Sequence, residues 1–173
     1  MRILVTVSIC TTVLLGLLTV VYGQGQRAQV AAPAAAPAAP AAPKDKAAYF
    51  PNTDIQAIWK DLEARQVINK RVLEGGTHSI NIRIVKESDA PLVHFASADI
   101  WVTQAGSATA ITGGKLIDPE KRPNSDDTAG KSISGGTEQL LQPGDILYVP
   151  AGVPHGFKNI KGFRAFLIRF DTK

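Results

Sequence analysis

Three histidines, His78, His94 and His155, are the only imidazoles in this 173-residue chain. Imidazole titrates near neutral pH and binds divalent metals, so these positions are the first candidates for proton transfer or metal ligation. His155 has the most ordered surroundings. Pro143-Gly144-Asp145 reads as a tight turn, Ile146 to Val149 as a buried strand, and Pro150-Ala151-Gly152 as a second bend before Val153-Pro154-His155. Glycine allows close turns at strand ends and proline stiffens the bend, which holds the imidazole in one orientation. A histidine so placed serves as a metal ligand, as a proton-transfer group, or as a hydrogen-bonded part of the core. The single cysteine, Cys10, lies inside an apolar run. Beyond it the chain has no disulfide, thiolate ligand or cysteine nucleophile. No catalytic triad, phosphate loop or nucleophile motif competes, and the Gly113-Gly114 and Gly135-Gly136 pairs read as turns.

The elements that must position His155 begin well into the chain. Residues 1–23 carry one basic residue, Arg2, then an apolar run from Ile3 to Tyr22. This is the pattern of a signal peptide, which would make the protein periplasmic or secreted; retained, residues 3–22 would serve as a membrane anchor. Residues 24–45 read as a flexible linker, since Ala31 to Pro43 contains only alanine and proline and cannot bury a core. The remaining residues, 46–173, form the one domain expected. Asn52, Thr53 and Asp54 look like a helix start, followed by Ile55, Ile58, Trp59 and Leu62 at helical spacing, with Trp59 expected in the core. Short strands separated by turns follow. In Thr77 to Val85, Ile80, Ile82 and Ile84 share one face and Ser79, Asn81 and Arg83 the other, and His78 falls on the apolar parity, which would turn it inwards. Lys115 to Ser134 reads as a long irregular loop, a length that tends to be functional or disordered. The net charge is +4, of which Arg2 contributes one, and the basic residues are scattered among acids. Nucleic acid is therefore not an expected partner.

Together these residues resemble the cupin β-barrel family. Counting from Gly144 there are five residues to Pro150, one to Gly152, two to His155 and three to Asn159, which fills every fixed position of the family's second motif. The first motif, two histidines one residue apart, then an acid, then a glycine seven positions on, is present in part. His94 matches the second histidine, Asp99 stands for the acid and Gly106 for the glycine, while Leu92 occupies the first histidine position.

The resemblance covers about Arg71 to Lys173. It implies an all-β fold, a cupin-type barrel (double-stranded β-helix or jelly roll) preceded by the short N-terminal α-helix. It implies a metal set of His94, Asp99 and His155, with His78 as the alternative fourth ligand, for a divalent Fe, Mn, Zn or Ni ion, or else no metal at all. Asn159 is expected to steady the turn after His155, and Trp101 and Tyr148 to line the cavity or the core. The implied activities are dioxygenase, isomerase or lyase chemistry on a small organic substrate; the alternative is a non-catalytic small-molecule binding module that has lost full metal ligation. A homodimer is a further expectation, and the membrane enters only through the N-terminal segment.

Overall fold

Pro51 is extended (φ −61°, ψ 145°), and its carbonyl accepts the N–H groups of Asp54 and Ile55, which starts helix α1 (Asn52–Ala64) without a side-chain cap. The helix holds because Trp59 and Leu62 bury one face against Val72 and Ile82, with Ile55, Ile58, Ile80, Ile84 and Phe166 around them. The computed structural model describes residues 38–172. The expected signal peptide lies outside the described residues, as does the linker up to Pro37. The linker's end is tied down, because Ala42 donates to Glu74 O (2.8 Å) and Glu74 donates to Pro40 O (2.9 Å). Pro40 and Ala42 therefore lie alongside Glu74. Among the described residues no helix is long and apolar enough to cross a membrane.

Eleven strands follow: β1 (Asn69–Glu74), β2 (His78–Ile84), β3 (Leu92–Val93), β4 (Ser97–Thr112), β5 (Lys115–Ile117), β6 (Glu120–Lys121), β7 (Thr128–Ala129), β8 (Ser132–Ser134), β9 (Thr137–Leu141), β10 (Ile146–Val149) and β11 (His155–Asp171). The two long strands β4 and β11 pair antiparallel and bend together. One half of the pair is flanked by β2 and β10, the other by β3 and β9, giving the two curved faces of an all-antiparallel jelly roll. The bend depends on Gly106, whose φ is +68° and where a Cβ would lie 2.2 Å from Lys161 O. Gly106→Ala is expected to cost about 2–3 kcal/mol from positive-φ strain and this contact, read as a shifted urea midpoint at unchanged slope. A variant as stable as the parent would show that the backbones can part here.

Two expectations about this architecture are corrected. The segment from Lys115 to Ser134 is ordered: β5 pairs β8, while β6 and β7 form a hairpin that continues onto β3. Pairings of two or three residues leave no readable period in a sequence. The second correction concerns which side of β2 faces inwards. Registers with β11, β4 and β10 place Ser79, Asn81, Asp99, Trp101, Thr103, Leu147, Val149, Ala165 and Leu167 together, all at most 9% exposed, as the interior. Ile80, Ile82 and Ile84 point the other way, under α1. His78 shares that outer parity, is exposed, and lies over Gly75. It is not part of the group that His94, Asp99 and His155 form.

Candidate metal centre

The turns around the motif residues set the site. Gly152 (φ +79°) donates its N–H to His94 O at 2.7 Å, which joins the bend before His155 to the loop after β3. At the start of β11, His155 pairs with Leu92 on one side and Thr112 on the other. Its Nδ1 lies 3.1 Å from Val153 O. A carbonyl can only accept, so Nδ1 carries the proton and Nε2 keeps its lone pair. Asp99 stands on the interior row of β4, directly opposite Arg169 of β11. Asn159, at φ +53°, turns the strand after His155 and reaches Thr109 Oγ1 at 3.4 Å, as expected of it.

His94, Asp99 and His155 come together, buried, with one ligand atom from each within 4.8 Å of the others. Asp99 Oδ2 lies 3.5 Å from His94 Nε2 and 3.5 Å from His155 Nε2. Four-coordinate bonds of about 2.1 Å separate neighbouring ligand atoms by about 3.4 Å, so both spacings suit a common ion. The imidazole rings are 5.4 Å apart at 48°. Asp127, from the β6–β7 hairpin, places Oδ1 2.7 Å from His94 Nδ1, out of hydrogen-bond alignment with that otherwise unpartnered nitrogen.

A guanidinium already serves two of these ligand atoms. Arg169 donates from Nε to Asp99 Oδ1 (2.7 Å) and from Nη2 to Asp99 Oδ2 (2.8 Å), and the same Nη2 is 2.5 Å from His94 Nε2. Arginine has only donors, so His94 Nε2 accepts there. Burial by itself would raise the Asp99 carboxyl; the paired hydrogen bonds from Arg169, with the neighbouring His155 and His94 acting in the same direction, outweigh it and hold Asp99 well below the usual carboxylate range. Burial likewise works against the charge on Arg169, and its hydrogen bonds to Asp99 reverse that effect. The donor set therefore fits a divalent ion by type and spacing, provided the guanidinium withdraws.

Beside His155 the interior leaves a cavity of about 40 Å³, bordered by Arg83, Asp89, Leu92, Trp101 and Phe157. That is room for a few waters at most. Leu92, in the place of the missing histidine, makes this wall apolar, and Trp101 packs edge-on against Phe157 (4.8 Å, 65°). Tyr148 does not line the cavity: it is 54% exposed and stacks outside on Phe170. Sequence reasoning missed Arg169 and Asp127. Arg169 has no motif around it and is found only through the β4–β11 register, whereas Asp127 belonged to a loop whose length was itself a functional signal.

A model of the JmjC domain family matches residues 63–164. No curated protein matches the chain. Among solved structures, BH2720 from Bacillus halodurans overlaps 72% of this chain and 82% of its own, at 11% identity and a TM-score of 0.46. A hydroquinone 1,2-dioxygenase from Sphingomonas sp. TTNP3 overlaps 58% of this chain and 62% of its own (14% identity, TM-score 0.43). YcfD, a ribosomal oxygenase from Escherichia coli, overlaps 56% of this chain but 23% of its own (22% identity, TM-score 0.39). These overlaps are distant, and the activities in their names stay with those proteins.

Proposed function

This chain belongs to the JmjC domain family and has a cupin-type barrel, and from that premise we propose that it is an exported protein whose barrel holds a divalent metal on His94, Asp99 and His155 and acts on a small organic substrate. The observation that carries this reading is the orientation of the ligand atoms. Both imidazoles turn Nε2 towards Asp99 Oδ2 at 3.5 Å, while each Nδ1 faces an oxygen, Val153 O or Asp127 Oδ1. The Val153 contact is of the kind that fixes the tautomer and aim of a ligating histidine, whereas Asp127 lies beside His94 Nδ1 without hydrogen-bond alignment. A bound Fe, Mn, Zn or Ni ion would supply Lewis-acid or redox chemistry at its open positions. The protein's own part is to aim the two imidazoles, to keep Asp99 ionised and to line the small cavity beside His155 with Leu92, Trp101 and Phe157. Dioxygenase, isomerase and lyase chemistry all remain compatible with that set. Export rests on residues 1–23, read as a signal peptide.

The test is a Zn²⁺ titration of the protein without residues 1–23, followed by calorimetry. One equivalent is expected to bind, and His94→Ala and His155→Ala are each expected to weaken it at least about a hundredfold, the upper range seen when even an outer-shell partner is lost. Binding that ignores both substitutions would sink the metal reading. The second reading, a small-molecule module without metal, is favoured by the guanidinium seated on Asp99, and no Zn²⁺ binding by any variant is the result it expects.

A further inference from the structure

We propose that Arg169 is a built-in competitor for the metal: its guanidinium holds Asp99 and His94 in the metal-free state and must leave before a divalent ion can be bound. This rests on the metal reading above and goes beyond it, by making the strength of metal binding a property of a residue that is not itself a ligand.

The geometry is one of shared acceptors. Oδ2 of Asp99 and Nε2 of His94 are two of the three candidate ligand atoms, and the single Nη2 of Arg169 lies 2.8 Å from one and 2.5 Å from the other. An ion about 2.1 Å from both atoms would fall in the space that this nitrogen fills. The lone pairs cannot serve both partners. Electrostatics oppose coexistence too, since a dication and a guanidinium would sit within a few ångströms in a buried pocket, where like charges are poorly screened. The third candidate, His155, has no hydrogen bond to Arg169, whose side-chain partners are Asp99 and His94, so only part of the set is held.

The guanidinium has somewhere to go. Arg169 is 29% exposed while Asp99 is 1% exposed, so the arginine head can reach solvent and the aspartate cannot. Asp127 also attracts Arg169, and its Oδ1 lies only 2.7 Å from His94 Nδ1, at the edge of the same site. Withdrawal towards Asp127 would exchange one carboxylate partner for another. Loading is thus an exchange of cations on Asp99, which keeps the carboxylate compensated in both states.

The experiment compares Zn²⁺ affinity in the parent and in Arg169→Met by calorimetry. Arg169→Met is expected to bind at least about tenfold more tightly, the equivalent of one charge-assisted hydrogen bond that no longer has to be broken. Equal affinities would overturn the competitor role while leaving the metal reading standing; absence of Zn²⁺ binding in both proteins would overturn the two together. If Arg169→Met does not fold, Arg169→Lys replaces it, because lysine keeps the charge but loses the paired fork, and a smaller gain in affinity is expected. A second measurement uses the parent protein alone. The ¹⁵Nε–H signal of Arg169 should shift and lose its protection from solvent exchange as Zn²⁺ is added, and a signal unchanged at full loading would refute the exchange.

Discussion

Arg169→Met is expected to destabilise the metal-free protein by about 3–5 kcal/mol, and Asp99→Asn by about 1–3 kcal/mol, because the two substitutions strand different charges. Removing the arginine leaves Asp99, 1% exposed, as an ionised group without its hydrogen-bonded counter-charge; removing the aspartate's charge leaves Arg169, 29% exposed, free to turn to water. The order of the two effects is the informative part. Urea denaturation at neutral pH measures it, and equal losses would mean that Asp99 finds another partner or takes up a proton. The same pair predicts a pH dependence. Asp99 has its folded pKa depressed, so its contribution is fully present above the unfolded carboxyl value of about 3.9, and is lost as pH falls through the lower folded value. Between neutrality and about pH 4 the parent and Asp99→Asn should therefore differ by a constant amount, and the gap should narrow only in stronger acid.

Trp59→Ala is expected to cost a similar amount, about 3–5 kcal/mol, at the opposite side of the sheet. Trp59 is 3% exposed and stacks on Phe166 at 5.7 Å and 17°, with the Arg164 guanidinium 5.9 Å from its ring centre. It is the largest side chain joining α1 to the barrel, so its loss leaves a void that the helix backbone cannot close. Trp59→Phe should lose much less, since the buried indole Nε1 has no hydrogen-bond partner among the described residues to forfeit. The two substitutions separate packing from polar contact, and thermal unfolding of both reads the difference. A small effect from Trp59→Ala would show that α1 is an accessory to the fold.

These expectations also mark where sequence reasoning stops. The turns of the Gly144–Asn159 segment were legible because its glycines and prolines act locally: Gly144 and Gly152 do adopt positive φ, and His155 follows the bend as expected, whereas the strand between them is buried on one side only, with Ile146 and Tyr148 exposed. Helix α1 was legible through its apolar spacing. The facing of β2 was not. Alternation tells that one side is apolar, but it cannot tell a barrel interior from an outer face covered by a helix, and here the isoleucines went under α1 while Ser79 and Asn81 went inside. That reversal is why His78 was an attractive ligand on paper and lies exposed in the fold.

The sequence by itself thus determined that His155 sits at the end of a tight turn-strand-bend unit, since every constraint on it lies within about a dozen neighbouring positions. It also marked His94, Asp99 and Gly106 through their spacing in a family pattern. Only the tertiary structure decided what surrounds them. Arg169 is 70 residues from Asp99 and Asp127 is 33 from His94, and such contacts depend on strand register and hairpin placement, which no local property of the chain encodes. Whether the site is open to metal is accordingly a question of cross-strand pairing between β4 and β11, where one guanidinium stands opposite one carboxylate.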